Sequence, residues 1–328
     1  MAKWRVLFFL VSLVAWATRV DTPVFAQTQT TDEKEDSMKT TLGLAVALVA
    51  LSPPARDGSQ EAVSGTATSP DRIPIRYHAA GKGDPALVFV HCGGCERGFW
   101  DGQVAHFAAK HRVVALDLAG HGQSGGGRKD WTMPAFGQDV VSVVEALGLK
   151  RVVLIGHSLG GPVVLEAARR MPGRVAGLVL VDTLVDFEQK RPAAEEMEKS
   201  LSELQANYRA NLTAYMSRLL FSASTPDPVK ARVLETVLSV PQEIGVASAR
   251  SSLAYDPLSA LREIKAPIRA INSDLFPTNV EGNRRHVPGY QVAIMKGVGH
   301  YLMLEQPEAF NALLAEALRE LARSGGRR

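Results

Sequence analysis

The sequence predicts an α/β domain: a mostly parallel central sheet flanked by helices and interrupted late in the chain by a helical insertion. Three observations predict it. Four short runs, residues 87–90, 113–116, 152–155 and 178–181, are continuously apolar and rich in Val, Leu and Ile, the pattern of strands covered on both faces. Stretches of helical period separate them, among them 133–147 and 162–170, and strand–helix alternation closes as a parallel sheet with right-handed crossovers. Between 184 and 263 the alternation stops and helix-period segments take over.

Taken from the N-terminus, residues 1–55 hold two export-like segments. The first has Lys3 and Arg5, an apolar run over 6–16 and a small-residue site, Val24-Phe25-Ala26, before Gln27. The second starts at Met38 with Lys39, is apolar over 42–51 and reaches Pro53-Pro54-Ala55. Each run has the length of the apolar part of a signal peptide and falls short of the roughly 20 apolar residues that cross a bilayer. Export to the periplasm or the medium is expected, from a start at Met1 or at Met38, with no stable membrane insertion after leader cleavage. An uncleaved leader acting as a membrane anchor is the alternative. Residues 56–70, rich in Thr, Ser, Asp, Pro and Gly, read as a linker. The α/β core is expected over 71–183 and 264–323. Helical segments at 193–219 and 228–238 fall in the insertion between its halves. Sheet character resumes at 268–271 and 291–294, and a last helix runs from Pro307, a favoured first helical residue, to about residue 322.

With 328 residues, 46% apolar and 22% charged, the chain can bury a sizeable core. A net charge of +3 and the lack of a long Lys/Arg block argue against a nucleic-acid partner. The two cysteines, Cys92 and Cys95, are too few for a structural zinc site, and no H-E-x-x-H occurs, so no metal is expected. No thioredoxin-like pattern flanks them. They read as loop residues that an exported protein could bridge.

The strongest chemical signal is Gly156-His157-Ser158-Leu159-Gly160-Gly161, directly after a buried run and directly before a helical one. On such a strand–turn–helix elbow the serine hydroxyl is pushed out of the sheet, and the glycines avoid collisions with neighbouring backbone. The Leu159 N–H then lies at a helix N-terminus, where it can meet developing negative charge. A serine nucleophile needs an imidazole within hydrogen-bond reach. His300 follows the last expected strand in a Gly-rich loop, Gly297-Val298-Gly299-His300.

With these residues the chain resembles the α/β-hydrolase family over about residues 73–321. His91-Cys92-Gly93-Gly94 resembles the family's oxyanion loop. Asp117-Leu118-Ala119-Gly120-His121-Gly122-Gln123-Ser124 resembles the loop after its fourth strand. The His300 loop, followed by Glu305-Gln306-Pro307-Glu308, resembles the loop of its catalytic histidine. The resemblance implies an α/β-hydrolase fold with residues 184–263 as a helical cap. It also implies Ser158 as nucleophile, His300 as acid–base, and Leu159 and Gly93 as oxyanion donors, with Cys92 the alternative to Gly93. The acid follows the serine in the family's chain order, where the usual loop reads G-x-x-D. This chain departs from that pattern with Asn272-Ser273-Asp274. Asp274 is the expected acid and Asp182 the alternative, while Asp117 precedes the serine and reads as structural.

The implied activity is hydrolysis of a small carboxylic ester through an acyl-enzyme on Ser158, a carboxylesterase-like reaction without cofactor. C–C bond hydrolysis, lactonase or cofactor-free perhydrolase chemistry on the same residues, or ligand binding without turnover, are the alternatives. Phe99, Trp100, Met133, Phe187, Tyr215 and Phe221 are among the expected pocket-wall residues.

Overall fold

The computed structural model describes residues 62–325; both export-like segments lie outside them. An eight-stranded sheet runs in the order β1-β2-β4-β3-β5-β6-β7-β8. Its strands are β1 (Val63–Thr68), β2 (Pro74–Ala80), β3 (Ala86–Val90), β4 (Val113–Leu116), β5 (Val152–His157), β6 (Val175–Val181), β7 (Ile268–Ser273) and β8 (Gln291–Met295). β1 and β2 pair antiparallel, as do β2 and β4, and every other pairing is parallel.

The apolar runs are continuous because each central strand feeds two cores. Successive strand residues point to opposite faces. Val88, Val90, Leu154, Leu178 and Leu180 enter one core, beneath α2 (Met133–Ala146) and α3 (Gly160–Arg170). Leu87, Phe89, Val153, Ile155, Val179 and Val181 enter the other, against α1 (Asp101–Phe107) and the last helix of the chain (Pro307–Gly325).

Residues 56–70, expected to be linker, contribute β1 instead. Its burial alternates weakly, and it pairs with β2 from Val63↔Ala79 to Thr68↔Pro74. A half-solvated edge strand of Ser, Thr, Gly and Ala has the composition of a loop, so the pattern of a buried strand does not reveal it.

Between β6 and β7 lie α4 (Ala194–Ala206), α5 (Tyr208–Leu219), α6 (Asp227–Val237), α7 (Gln242–Ala254) and α8 (Pro257–Leu261). The helical segment expected over 193–219 is two helices, broken at Asn207 (φ −146°, ψ 68°). Asn211 Nδ2 donates to the Glu203 carbonyl freed at the break. The remaining helices are α9 (Val280–His286), α10 (Leu302–Glu305) and α11 (Pro307–Gly325). Met216, Phe221, Val233 and Val237 of the insertion cluster with Cys92, Cys95, Phe99 and Tyr301. The insertion therefore sits over the loops that follow β3 and β8. No helix among the described residues is long and apolar enough to cross a membrane.

β3 lies between β4 and β5, so the chain leaves β3 towards β4 on one side and leaves β5 towards β6 on the other. The loops beyond the carboxyl ends of β3 and β5 part there, which makes the crevice where α/β sheets receive ligands.

Candidate active site

Ser158 stands at that crevice, one residue past β5, with φ 53°. A non-glycine residue in this left-handed region is strained by about 1–3 kcal/mol and needs support from its surroundings. The backbone provides it. The Ser158 N–H donates to the Val181 carbonyl at 3.0 Å, and the Ser158 carbonyl accepts from the Gly161 N–H at 2.9 Å and from Thr183 Oγ1 at 2.7 Å. The flanking glycines are there for space. A Cβ on Gly156 would lie 2.3 Å from the Gly160 carbonyl oxygen, and one on Gly160 would lie 2.6 Å from that of Val90.

Leu159 caps the start of α3. A Cβ on Gly93 would meet the Leu159 side chain at 3.3 Å, so the two residues are neighbours. Neither N–H has an acceptor among the described residues. His91 orients the loop that carries Gly93. Its Nε2 accepts from the Leu118 N–H at 3.0 Å, which leaves Nδ1–H to donate to the Cys92 carbonyl at 2.7 Å. A trans peptide points its C=O and the following N–H in opposite directions, so fixing the Cys92 carbonyl also aims the Gly93 N–H. Burial pushes the His91 pKa down to about 4, which keeps this one tautomer. Cys92 and Cys95 form a disulfide with Cα atoms 5.2 Å apart, and both are buried against the insertion.

His300 is buried, and its Nδ1 lies 2.6 Å from Asp182 Oδ2. This bond leaves Nε2 as the nitrogen available to a reacting group. The His300 carbonyl accepts from His157 Nε2–H at 2.8 Å, and the two rings lie 4.6 Å apart. Burial first, and the neighbouring His300 second, hold the His157 pKa well below its usual value. His157 is thus a neutral donor that ties the elbow to the His300 loop. Tyr301 packs edge-on against His300 and His157.

The carboxylate beside His300 is Asp182, and the expectation for Asp274 is corrected. Asp182 follows the end of β6, is 5% exposed, and also accepts from the N–H and Oγ of Ser273 through Oδ1, at 2.6 and 2.9 Å. β7 extends to Ser273, which spends both its donors on Asp182. Asp274 lies one residue beyond, exposed, with its carboxylate on the Gly297 N–H at 2.9 Å. The useful signal in the sequence was the missing G-x-x-D loop, together with an Asp at the end of the preceding strand. Asp117 is fully buried and holds its own loop through the N–H groups of Arg97 and Gln123.

The expected wall residues separate. Phe99 and Phe221 belong to the cluster under the insertion, with Tyr215 packed against it. Trp100 is buried in the core beneath α1 and α11 with Phe89 and Phe310, edge-on to the His157 ring, and Met133 and Phe187 are core residues of the other face.

The chain is similar to several known proteins. The chain is 37% identical over 105 residues to an uncharacterized protein of Mycobacterium tuberculosis. That match covers 32% of this chain and 30% of the relative, so the chain spans less than a third of that protein's length. It is 27% identical over 234 residues to 3-oxoadipate enol-lactonase 1 of Acinetobacter baylyi, covering 69% of this chain and 85% of that one. A solved thermophilic esterase from Thermogutta terrifontis superposes with a TM-score of 0.68 at 27% identity, over 79% of this chain and 99% of the esterase. The model of the alpha/beta hydrolase family matches residues 87–313, and the chain belongs to that family.

Proposed function

We propose that the chain is a serine hydrolase of carboxylic esters that works through an acyl-enzyme on Ser158. The observation that carries this reading is a strained Ser158 directly after His157, whose ring holds the carbonyl of a buried His300 that itself pairs with Asp182. His300 Nε2 takes the Ser158 proton as Oγ bonds to the ester carbonyl carbon. Asp182 holds the imidazole in the tautomer this requires and stabilises its charged form. The Leu159 and Gly93 N–H groups face the oxygen that becomes negative. His300 then gives the proton to the departing alkoxide. Water, deprotonated by the same nitrogen, cleaves the acyl-enzyme to release the acid and restore Ser158.

These steps ask for no metal or organic cofactor. They apply equally to a lactone, whose alcohol stays tethered to the acyl group, and the resemblance to an enol-lactonase over 85% of its length favours keeping lactones in the substrate class. The helical insertion acts as a cap over the site, seated on the loop of Gly93 through the apolar cluster of Phe99, Phe221 and Tyr215. The protein is exported by its leader, and a Cys92–Cys95 disulfide suits an oxidising compartment. N-terminal sequencing of protein recovered from the periplasm or the medium checks export: a mature start past the leader is expected, and an intact leader on membranes would overturn it.

The test of function is turnover of p-nitrophenyl esters of graded acyl length and of simple lactones by the mature protein, with Ser158→Ala alongside. Hydrolysis abolished by Ser158→Ala supports the reading. Hydrolysis that survives it, or a folded wild type inert on both substrate sets, would overturn it.

A further inference from the structure

The backbone around His300 is held from two sides. From the sheet side, His157 binds the His300 carbonyl and Asp182 binds the ring. The other side belongs to the insertion. The His300 N–H donates to the carbonyl of Leu220, the residue that caps the C-terminal end of α5, at 2.8 Å. The N–H groups on either side, Gly299 and Tyr301, donate to the two oxygens of Glu305 at 2.7 and 3.3 Å. Glu305 in turn accepts from Thr225 Oγ1 at 2.9 Å. Thr225 lies in the turn between α5 and α6 and is 2% exposed. Its Oγ1 also receives the Ser222 N–H at 2.9 Å, which closes that turn on itself. Ser224 Oγ donates to the Gly297 carbonyl. The fit is close: a Cβ on Gly299 would lie 2.5 Å from Glu305, 2.7 Å from Thr225 and 2.8 Å from the Leu220 carbonyl oxygen.

One turn of the insertion thus grips both the backbone of His300 and the carboxylate that orders its neighbours. The same insertion packs Val237 and Phe221 onto Cys92 and Cys95 in the loop of Gly93. We infer that Thr225 and Glu305 are positioning residues: their hydrogen bond sets the backbone of His300, so that the placement of the insertion decides how well His300 transfers protons. This rests on the reading of His300 as the proton carrier. The consequence is specific. Proton transfer tolerates little displacement, since a misplacement of about 1 Å costs on the order of a hundredfold in rate. Loosening the turn should therefore slow every ester alike and leave the binding of the acyl chain unchanged.

The experiment compares Thr225→Val, which keeps the shape and loses the hydroxyl, with Thr225→Ser, which keeps the hydroxyl. Active sites are first counted by end-point labelling of Ser158 with a phosphonate. Then kcat and KM are measured over the p-nitrophenyl series well below each variant's Tm. Thr225→Val is expected to lower kcat about tenfold across all chain lengths, with KM within about twofold, and Thr225→Ser to recover most of the loss. If Thr225→Val does not fold, Ser224→Ala at the exposed end of the turn takes its place, with an expected loss of about threefold in kcat. An active wild type whose turn variant keeps its kcat, or loses only KM, or is not rescued by serine, overturns the inference alone. A wild type that neither hydrolyses esters nor takes the phosphonate overturns the proposed function and this inference with it.

Discussion

The elbow at residues 156–161 and the carboxylate cluster at the ends of β6 and β7 are built by opposite means. Ser158 is shaped first by its own turn: a Cβ on Gly156 would collide with the Gly160 carbonyl and the Gly161 N–H closes the turn, while Val181 and Thr183 only anchor the turn so formed. Asp182 is placed by the sheet. Its partners, Ser273 and His300, are 91 and 118 residues away in sequence and arrive because β7 lies beside β6 and β8 beside β7. A local turn carries its geometry in its own residue types. A strand-end cluster carries it in strand order and register, so a shift of one residue changes which carboxylate faces the histidine.

The largest effect tests the local half. Ser158→Ala is expected to lower ester turnover on the order of a millionfold, down to what the remaining donors supply. Steady-state rates on p-nitrophenyl esters check it. The next tests the long-range half and can break the comparison outright. Asp182→Asn should cost on the order of ten-thousandfold in kcat, because the imidazole loses the partner that fixes its tautomer. Asp274→Asn should stay within about tenfold, since it loosens only the Gly297 N–H. The reverse order would mean that the cluster at β6 and β7 is structural.

Gly156→Ala sharpens the account of the elbow. Its new Cβ would fall 2.3 Å from a carbonyl oxygen, and overpacking of this kind costs about 1–3 kcal/mol, seen as a Tm several degrees lower. A dithiol that reduces Cys92–Cys95 should remove about 2 kcal/mol of stability for so short a loop and lower kcat a few-fold through the Gly93 loop. The Cys92→Ser/Cys95→Ser pair should match the reduced enzyme.

The smallest effect concerns pH. Burial holds His91 at about 4 and His121 at about 3, below the usual 6.5. Between those values and pH 6.5 the unfolded chain binds protons that the native state refuses. The stability these two side chains contribute is therefore full above pH 6.5 and falls as the pH drops towards 4. Thermal unfolding at pH 7.0, 6.0 and 5.0 should register the decline, with a shallower slope in His121→Asn.

Much of this was legible beforehand because it is local. Continuous apolar runs announced β3 to β6, since a strand covered on both faces has no polar positions to alternate. The elbow, the His300 loop and the helical insertion were legible in the same way. β1 escaped because a solvated edge strand needs no apolar pattern, and the break at Asn207 escaped because helical period continues on both sides of it.

The sequence by itself determined the α/β sheet, the placing of Ser158 on a strand–helix turn and that of His300 in a glycine-rich loop after the last strand. These follow from side-chain periodicity and from sterics within a few residues. Only the tertiary structure decided that Asp182 rather than Asp274 faces His300, that His157 and the turn at Thr225 hold the His300 backbone, and that Trp100 is buried behind His157 rather than lining a pocket. Each of those depends on which strand ends and loops become neighbours across a hundred residues or more, and that is settled by packing and register rather than by any pattern along the chain.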